Sequence, residues 1–298
     1  MVRVERRNSF EHKNKLKDFY HKFFKTGMEK LNDRIVDSYD MDNLPLPLEV
    51  EIETVNRCNG DCPFCPVNVH EPQRPYAKMT DELFYKIIDD LSELNYSGQL
   101  AIYSNNEPFL DERIIKFHEY AREKVPNAFI HMYTNGSVMG LEKFKQIIPY
   151  LDEMVLDIYD DRQIITPVIQ PVYDYVESHE ELHEKVLFSL RLKHEILNSR
   201  GGQSPNKKDE AHRSKAKCVL PFQELIIRPT GHISLCAADA LGKYDLGDMN
   251  TMTIMQAWHS EKHEEIRKAM KKTGRKGLML CDKCDLVGGT LKGVNGIE

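Results

Sequence analysis

The sequence predicts an α/β fold: a parallel sheet alternating with helices, curled into a full or partial barrel and followed by a small cysteine-bearing domain. Three observations predict it. Short apolar strand-like runs alternate with amphipathic helical stretches between Leu48 and Leu192. Right-handed crossovers curl such a sheet. Beyond a polar break, Asn198 to Ala216, the texture changes to a hairpin signal and widely spaced cysteines.

Residues 1–44 are polar and read as an N-terminal helical extension. Lys13 to Lys30 carries Leu16, Phe19, Phe23 and Phe24 at helical spacing among lysines. The expectation is a helix packed on the main domain; a membrane-surface helix is the alternative. The main domain is expected over 45–200. Its first strand is Leu48 to Thr54, where Leu48, Val50 and Ile52 face one way and Glu49, Glu51 and Glu53 the other. Asp81 to Leu94 reads as a helix capped by Thr80. Leu100 to Tyr103 is a strand, and Glu112 to Val125 a helix stopped by Pro126. Ala128 to Tyr133 is a strand, and Leu141 to Tyr150 a helix. Met154 to Tyr159 and Lys185 to Leu192 are further strands. The last region, 201–298, opens as a linker or lid. Pro229-Thr230-Gly231 then joins two short strands. Thr253 to Met270 reads as one helix and holds the only tryptophan, Trp258.

Composition excludes several classes. Of 298 residues, 41% are hydrophobic and 30% charged, and the net charge is -6. That balance argues against nucleic acid as the main partner. No run approaches the roughly eighteen apolar residues of a transmembrane segment, and the start lacks the apolar core of a signal peptide. The expectation is a cytoplasmic protein.

Seven cysteines fall in two groups, 58, 62 and 65 early and 218, 236, 281 and 284 late. Without an export signal, disulfides are a poor default. Cys58-Asn-Gly-Asp-Cys62-Pro-Phe-Cys65 directly follows the first strand, on the loop at its C-terminal end, where parallel barrels build their active sites. Three thiolates on one loop can hold three irons of a cubane and leave the fourth iron open. Zinc with His70 as a fourth ligand is not excluded by spacing alone.

The C-x3-C-x2-C spacing, with Phe64 before the last cysteine, resembles the radical S-adenosylmethionine (radical SAM) superfamily. The resemblance implies a partial (β/α)6 TIM-like barrel. It implies a [4Fe–4S] cluster on Cys58, Cys62 and Cys65 that binds S-adenosyl-L-methionine, and cleavage of that cofactor to a 5′-deoxyadenosyl radical. Asn105-Asn106-Glu107-Pro108 is similar to the family's G-G-E-P, with both glycines replaced by asparagines and the carboxylate that suits the cofactor's ammonium retained. Thr134-Asn135-Gly136 resembles the family's T-N-G turn. Asp157 stands where the family places a polar group on the ribose, and Arg191 could pair with the cofactor carboxylate. On this resemblance Phe64, Asn106, Glu107, Thr134, Asn135, Asp157 and Arg191 form the cofactor site.

Cys218, Cys236, Cys281 and Cys284 can close a site completely. Cys218-Val-Leu-Pro-Phe, then Ile227 to Cys236, then Leu246-Gly247-Asp248, resembles the SPASM or twitch extension. Four cysteines match the shorter form, with one auxiliary [4Fe–4S] cluster; a zinc knuckle is the alternative. Every cysteine is then assigned, so no thiol remains to return a hydrogen atom. Net oxidation is therefore favoured over epimerisation, and the resemblance to short twitch dehydrogenases implies a sugar-like secondary alcohol as the substrate. The resemblance also implies an external one-electron reductant such as flavodoxin or ferredoxin. A peptide-modifying enzyme is the rival, weakened because too few residues precede Leu48 for an added leader-binding domain. A non-catalytic zinc-binding scaffold is the third reading. No catalytic base is identifiable; Glu53, Tyr103, Tyr159 and Arg228 are candidates.

Overall fold

Seven parallel strands form the predicted sheet, one of them from the N-terminal residues. The computed structural model describes residues 1–7, 15–69, 74–207 and 213–287. Its strands are β1 (Arg3–Arg7), β2 (Glu49–Ile52), β3 (Gln99–Ala101), β4 (Phe129–Thr134), β5 (Glu153–Tyr159), β6 (Val186–Arg191), β7 (Glu224–Ile227) and β8 (Ile233–Ser234). They lie in the order β1-β6-β5-β4-β3-β2-β7-β8. All neighbours are parallel except β7 and β8. The order is linear rather than a closed ring, as in a partial barrel.

Two sequence expectations are corrected here. The opening residues contribute β1, which pairs with β6 from Arg3↔Leu187 to Arg7↔Arg191, so the first 44 residues are not wholly helical. The helix that follows, α1 (Lys15–Ser38), is present. The side chains of Leu16, Phe19, Phe23 and Phe24 lie outside the described residues. The C-terminal region is also not separate from the sheet, because β7 pairs with β2 through Glu49↔Glu224 and Ile52↔Ile227. The Pro229-Thr230-Gly231 turn makes the expected hairpin, and Gly231 takes a positive φ of 89°.

The remaining helices are α2 (Pro66–Val69), α3 (Asp81–Glu93), α4 (Ile114–Lys124), α5 (Gly140–Ile147), α6 (Gln170–Glu177), α7 (Ile254–Trp258) and α8 (Glu261–Thr273). Thr80 caps α3 as expected, its Oγ1 accepting from Leu83 N at 3.2 Å. The single helix expected from Thr253 is two, broken at His259 and Ser260. Trp258 is fully buried at the break. Its Nε1 donates to Pro45 O at 2.9 Å, and the Arg267 guanidinium lies 3.9 Å from its ring centroid.

The two faces of the sheet differ chemically. Residues paired across parallel strands share a face. One face carries Val50↔Leu100↔Ile130 and Met132↔Met154↔Val186, all buried under the helices. The α3 residues Leu83, Phe84, Ile87, Ile88 and Leu91 pack there at helical spacing. Phe84 stacks on Phe117 of α4 with ring centroids 3.9 Å apart. Phe117→Ala should cost about 3–5 kcal/mol, because the cavity between two helices and the sheet cannot collapse. A lower urea midpoint at unchanged m-value checks this.

The inner face is polar. Glu49, Glu51 and Glu53 point away from the helices, as the alternation predicts, but they are buried rather than solvated. Level with them stand Gln99, His131 and Glu224.

Candidate functional site

All six strands β2 to β7 end at one edge of the sheet because they run parallel, and their loops collect the predicted residues. The Cys58–Cys65 loop leaves β2. A Cβ placed on Gly60 would lie 3.4 Å from Cys58 Sγ and 3.7 Å from Cys62 Sγ, so Gly60 keeps open a cradle between two thiols. Gly60 N also donates to Cys58 Sγ at 3.3 Å. Burial, with the neighbouring thiols, pushes Cys58 up to about 11 and Cys62 up to about 12. Such thiols stay protonated unless a cationic centre binds them, which is the donor chemistry of an iron cluster.

Glu107 ties three strand ends together. It is 1% exposed. Its Oε1 accepts from Thr134 Oγ1 at 2.7 Å and from Phe109 N at 3.2 Å, and its Oε2 accepts from Asn135 N at 2.9 Å. Its own N–H donates to Arg57 O at 2.9 Å, beside Cys58. Burial raises its carboxyl above the usual range, and the three hydrogen bonds pull it back. Asn135 Nδ2 donates to Asn59 Oδ1 at 3.0 Å inside the cysteine loop. Gly136 N donates to Thr134 Oγ1 at 3.0 Å and takes the positive φ of 70° that the turn needs. Asn106 Oδ1 accepts from Ser104 N at 3.0 Å, while its buried Nδ2 has no hydrogen-bond partner. An orphaned donor beside a carboxylate suits an amino-acid ligand with one group of each sign.

Phe64, Asp157 and Arg191 form a second group. The Phe64 and Tyr159 rings are 5.1 Å apart. Arg191 lies over Tyr159 at 5.7 Å, pairs with Asp157 Oδ1 at 4.0 Å, and donates from Nε to Glu195 Oε2 at 2.6 Å. The partners of Arg191 in the protein are thus carboxylates, one of which, Glu195, had no signal in the sequence.

The base candidates do not converge. Glu53 is buried against Arg74 Nη2 at 2.5 Å. Tyr103 Oη lies 3.2 Å from His131 Nδ1, and burial pushes the phenol well up. Tyr159 sits under Arg191, and Arg228 Nη1 donates to Leu241 O at 3.3 Å.

The four late cysteines line one cavity together with Arg275 and Asp239. Arg275 is 2% exposed and donates to Ala216 O at 2.9 Å and Leu286 O at 2.6 Å. Burial pushes Cys281 up to about 12. Four thiols and one buried guanidinium around a single cavity fit a fully ligated cluster. The segment read as a linker is a wall of this site, not a loose connection. Gly201 has a φ of 61°, and a Cβ there would lie 3.0 Å from Leu280 Cβ. Ser199 N donates to Asp285 Oδ1 at 2.6 Å, and Ser204 Oγ donates to Phe64 O at 2.9 Å. The same segment therefore touches both cysteine groups. Arg200 on it holds a strained φ of 46°, and its Nη1 reaches Asn105 Oδ1 at 2.5 Å. Sequence reasoning missed Arg200, whose only signal was the following Gly201-Gly202. His70, the alternative zinc ligand, lies outside the described residues.

Comparison with known proteins agrees with this arrangement. A radical SAM superfamily model matches residues 52–190. An iron–sulfur cluster-binding SPASM model matches residues 218–285, which replaces the zinc alternative for the late cysteines. The chain is 27% identical over 240 residues to the S-adenosyl-L-methionine-dependent 2-deoxy-scyllo-inosamine dehydrogenase of Niallia circulans, covering 80% of this chain and 92% of that protein. The crystal structure of BtrN in complex with AdoMet and 2-DOIA superposes with a TM-score of 0.70 at 23% identity, covering 82% of this chain and 94% of that one. An open conformation of BtrN superposes with a TM-score of 0.60 at 20% identity, covering 81% and 94%. These two likenesses bear on the fold. Among the described residues no helix is long and apolar enough to cross a membrane. From the two family models and the cysteine sites they enclose, the chain carries a radical SAM domain over residues 52–190 and a SPASM iron–sulfur domain over residues 218–285.

Proposed function

We propose that this chain is a radical SAM dehydrogenase that oxidises a secondary alcohol of a sugar-like small molecule. The observation that carries the reading is the division of all seven cysteines into an open loop of three and a closed cavity of four, which leaves no thiol to return a hydrogen atom. The similarity to a cyclitol dehydrogenase supports it. When bound, the first cluster with S-adenosyl-L-methionine supplies a 5′-deoxyadenosyl radical that removes a hydrogen atom from a C–H bond, and the auxiliary cluster supplies an electron acceptor.

The residues divide the binding work. Cys58, Cys62 and Cys65 hold the first cluster, and Cys218, Cys236, Cys281 and Cys284 the second. Glu107 receives the cofactor's ammonium, and the orphaned Asn106 Nδ2 donates to its carboxylate. Thr134 and Asn135 hold Glu107 in place. Asp157 takes the ribose hydroxyls while Arg191 balances its charge, and Phe64 with Tyr159 forms an apolar wall. Flavodoxin or ferredoxin provides the reducing electron in the cytoplasm.

Glu107→Gln should weaken S-adenosyl-L-methionine binding by about 1.5–3 kcal/mol, the worth of a hydrogen bond to a charged group, and leave iron content unchanged. Equilibrium binding with an iron assay checks it; an unchanged dissociation constant would remove Glu107 from the cofactor site. The oxidation itself is tested in deuterated water with reductant, S-adenosyl-L-methionine and 2-deoxy-scyllo-inosamine. The expected result is one 5′-deoxyadenosine per ketone formed. A product at the starting oxidation level that gains one carbon-bound deuterium would overturn dehydrogenation in favour of epimerisation.

A further inference from the structure

Two adjacent asparagines just past β3 stand where the motif they resemble has glycines, and they differ in what they touch. Asn106 Nδ2 is buried without a hydrogen-bond partner, which leaves it for the cofactor. Asn105, 8% exposed, spends its polar atoms on the protein. Its Nδ2 donates to Ala237 O at 3.0 Å and to Ser104 Oγ at 3.3 Å. Its Oδ1 accepts from Arg200 Nη1 at 2.5 Å, and its main-chain O accepts from Arg74 Nη1 at 3.1 Å. A guanidinium only donates and a carbonyl only accepts, so these partners fix which way the amide faces.

The partner that matters is Ala237, which directly follows Cys236, a thiol of the late group. Ala237 N donates in turn to Glu224 Oε2 of β7 at 3.2 Å, so the main chain beside Cys236 is held from two sides. Two residues past Asn105 stands Glu107, tied to Thr134 and Asn135. One hydrogen bond therefore joins the strand end that carries the cofactor residues to the residue next to a thiol of the second site. The stretch from Ser199 to Ser204 also spans the two cysteine groups, through Ser204 Oγ on Phe64 O and Ser199 Oγ on Lys283 O. That route needs two hydrogen bonds and the chain between them. Coupling between sites is carried by contiguous, rigid contacts, and the Asn105 bridge is the shorter of the two.

We propose that Asn105 is a positioning residue: it clamps the Cys236 side of the second cluster to the cofactor-binding strand end and so sets the gap that the substrate's electron crosses. A glycine at this place has no side chain to make the bridge. The inference rests on the dehydrogenase reading for the electron's direction and goes beyond it by naming the contact that keeps the two sites in register. In that oxidation the substrate radical left by hydrogen abstraction gives one electron to the second site and its hydroxyl proton to water. Its C–O bond becomes the carbonyl of the ketone.

Two variants test it. Asn105→Ala removes both side-chain contacts. Asn105→Asp keeps the size and the Arg200 contact but sets a carboxylate oxygen against Ala237 O. Both are compared with the native protein after cluster reconstitution, at equal iron content and equal affinity for S-adenosyl-L-methionine. The first measurement needs no substrate: dipolar electron paramagnetic resonance with both clusters reduced reads their separation. The native protein should give one narrow separation, and both variants a shifted or broadened one. The second measurement is the ratio of ketone to 5′-deoxyadenosine formed from 2-deoxy-scyllo-inosamine. It should fall at least about tenfold in the variants, toward the roughly hundredfold that a misplacement of about 1 Å can cost. A separation unchanged in both variants overturns the proposal, and so does an unchanged product ratio. Loss of iron or of cofactor affinity in both variants also overturns it, because Asn105 would then hold the sites together rather than in register. The dehydrogenase reading fails separately, if the native protein forms no ketone; the cluster separation then decides on the Asn105 clamp by itself.

Discussion

Replacing Cys58, Cys62 and Cys65 together by Ala removes about half of the iron and abolishes cleavage of S-adenosyl-L-methionine. The native chain is expected to hold about eight irons, four for each cubane. The triple variant loses the first set because its three thiols are adjacent on one loop and no other cysteine lies in that group. It keeps the second set because Cys218, Cys236, Cys281 and Cys284 enclose their own cavity with Arg275. Iron and sulfide analysis of anaerobically prepared protein reads the first part, and 5′-deoxyadenosine release the second. Full iron content in the triple variant would show that the cysteine loop holds no cluster.

Cys281→Ala and Cys284→Ala lower ketone formation far more than they lower 5′-deoxyadenosine formation. Coupled turnover in the native enzyme gives one of each; the variants give deoxyadenosine in excess. The physical reason is the closed ligation of the second site. Four protein thiolates leave no iron open to a substrate, which suits electron transfer rather than substrate binding. Losing the site could also loosen the region, because a bound cluster contributes folding energy. The comparison therefore requires variants that retain the iron of the first site and unchanged cofactor binding. Equal losses of both products would show that the second site serves only as a staple.

Arg275 offers a milder change at the same cavity. Its guanidinium is held by Ala216 O and Leu286 O and lies against the thiols of Cys218, Cys284 and Cys281. Positive charge and hydrogen bonds near cluster sulfurs favour the reduced form. Arg275→Met should therefore shift the midpoint potential of the second cluster to more negative values, read by spectroscopic redox titration. An unchanged potential at full iron content would make Arg275 purely structural.

Much of this was legible without coordinates. The spacing of Cys58, Cys62 and Cys65 sets which thiols can meet, because a short loop confines them whatever surrounds it. The alternation of strands and helices implies a parallel sheet, and a parallel sheet puts the ends of β2 to β6 on one edge. Glu107, Thr134 and Asn135 were singled out by their resemblance to family motifs, and the common edge is why the structure joins them by direct hydrogen bonds. Local chemistry sufficed for Thr80 and for the Pro229-Thr230-Gly231 hairpin.

Tertiary structure decided what depends on distant partners. Nothing local distinguishes Arg3–Arg7 from a charged helix end; it becomes a strand because the edge of β6 offers unpaired backbone groups. The polar stretch after Asn198 reads as a linker, yet its buried positions are fixed by contacts with Phe64, Leu280 and Asp285 far away in sequence. Glu49, Glu51 and Glu53 show the divide most clearly. Period-two alternation determined that they point away from the apolar face. Only the closure of helices on one side and β3 and β7 on the flanks turned that second face into a buried interior, where Glu49 meets His131 and Glu53 pairs with Arg74 instead of facing solvent.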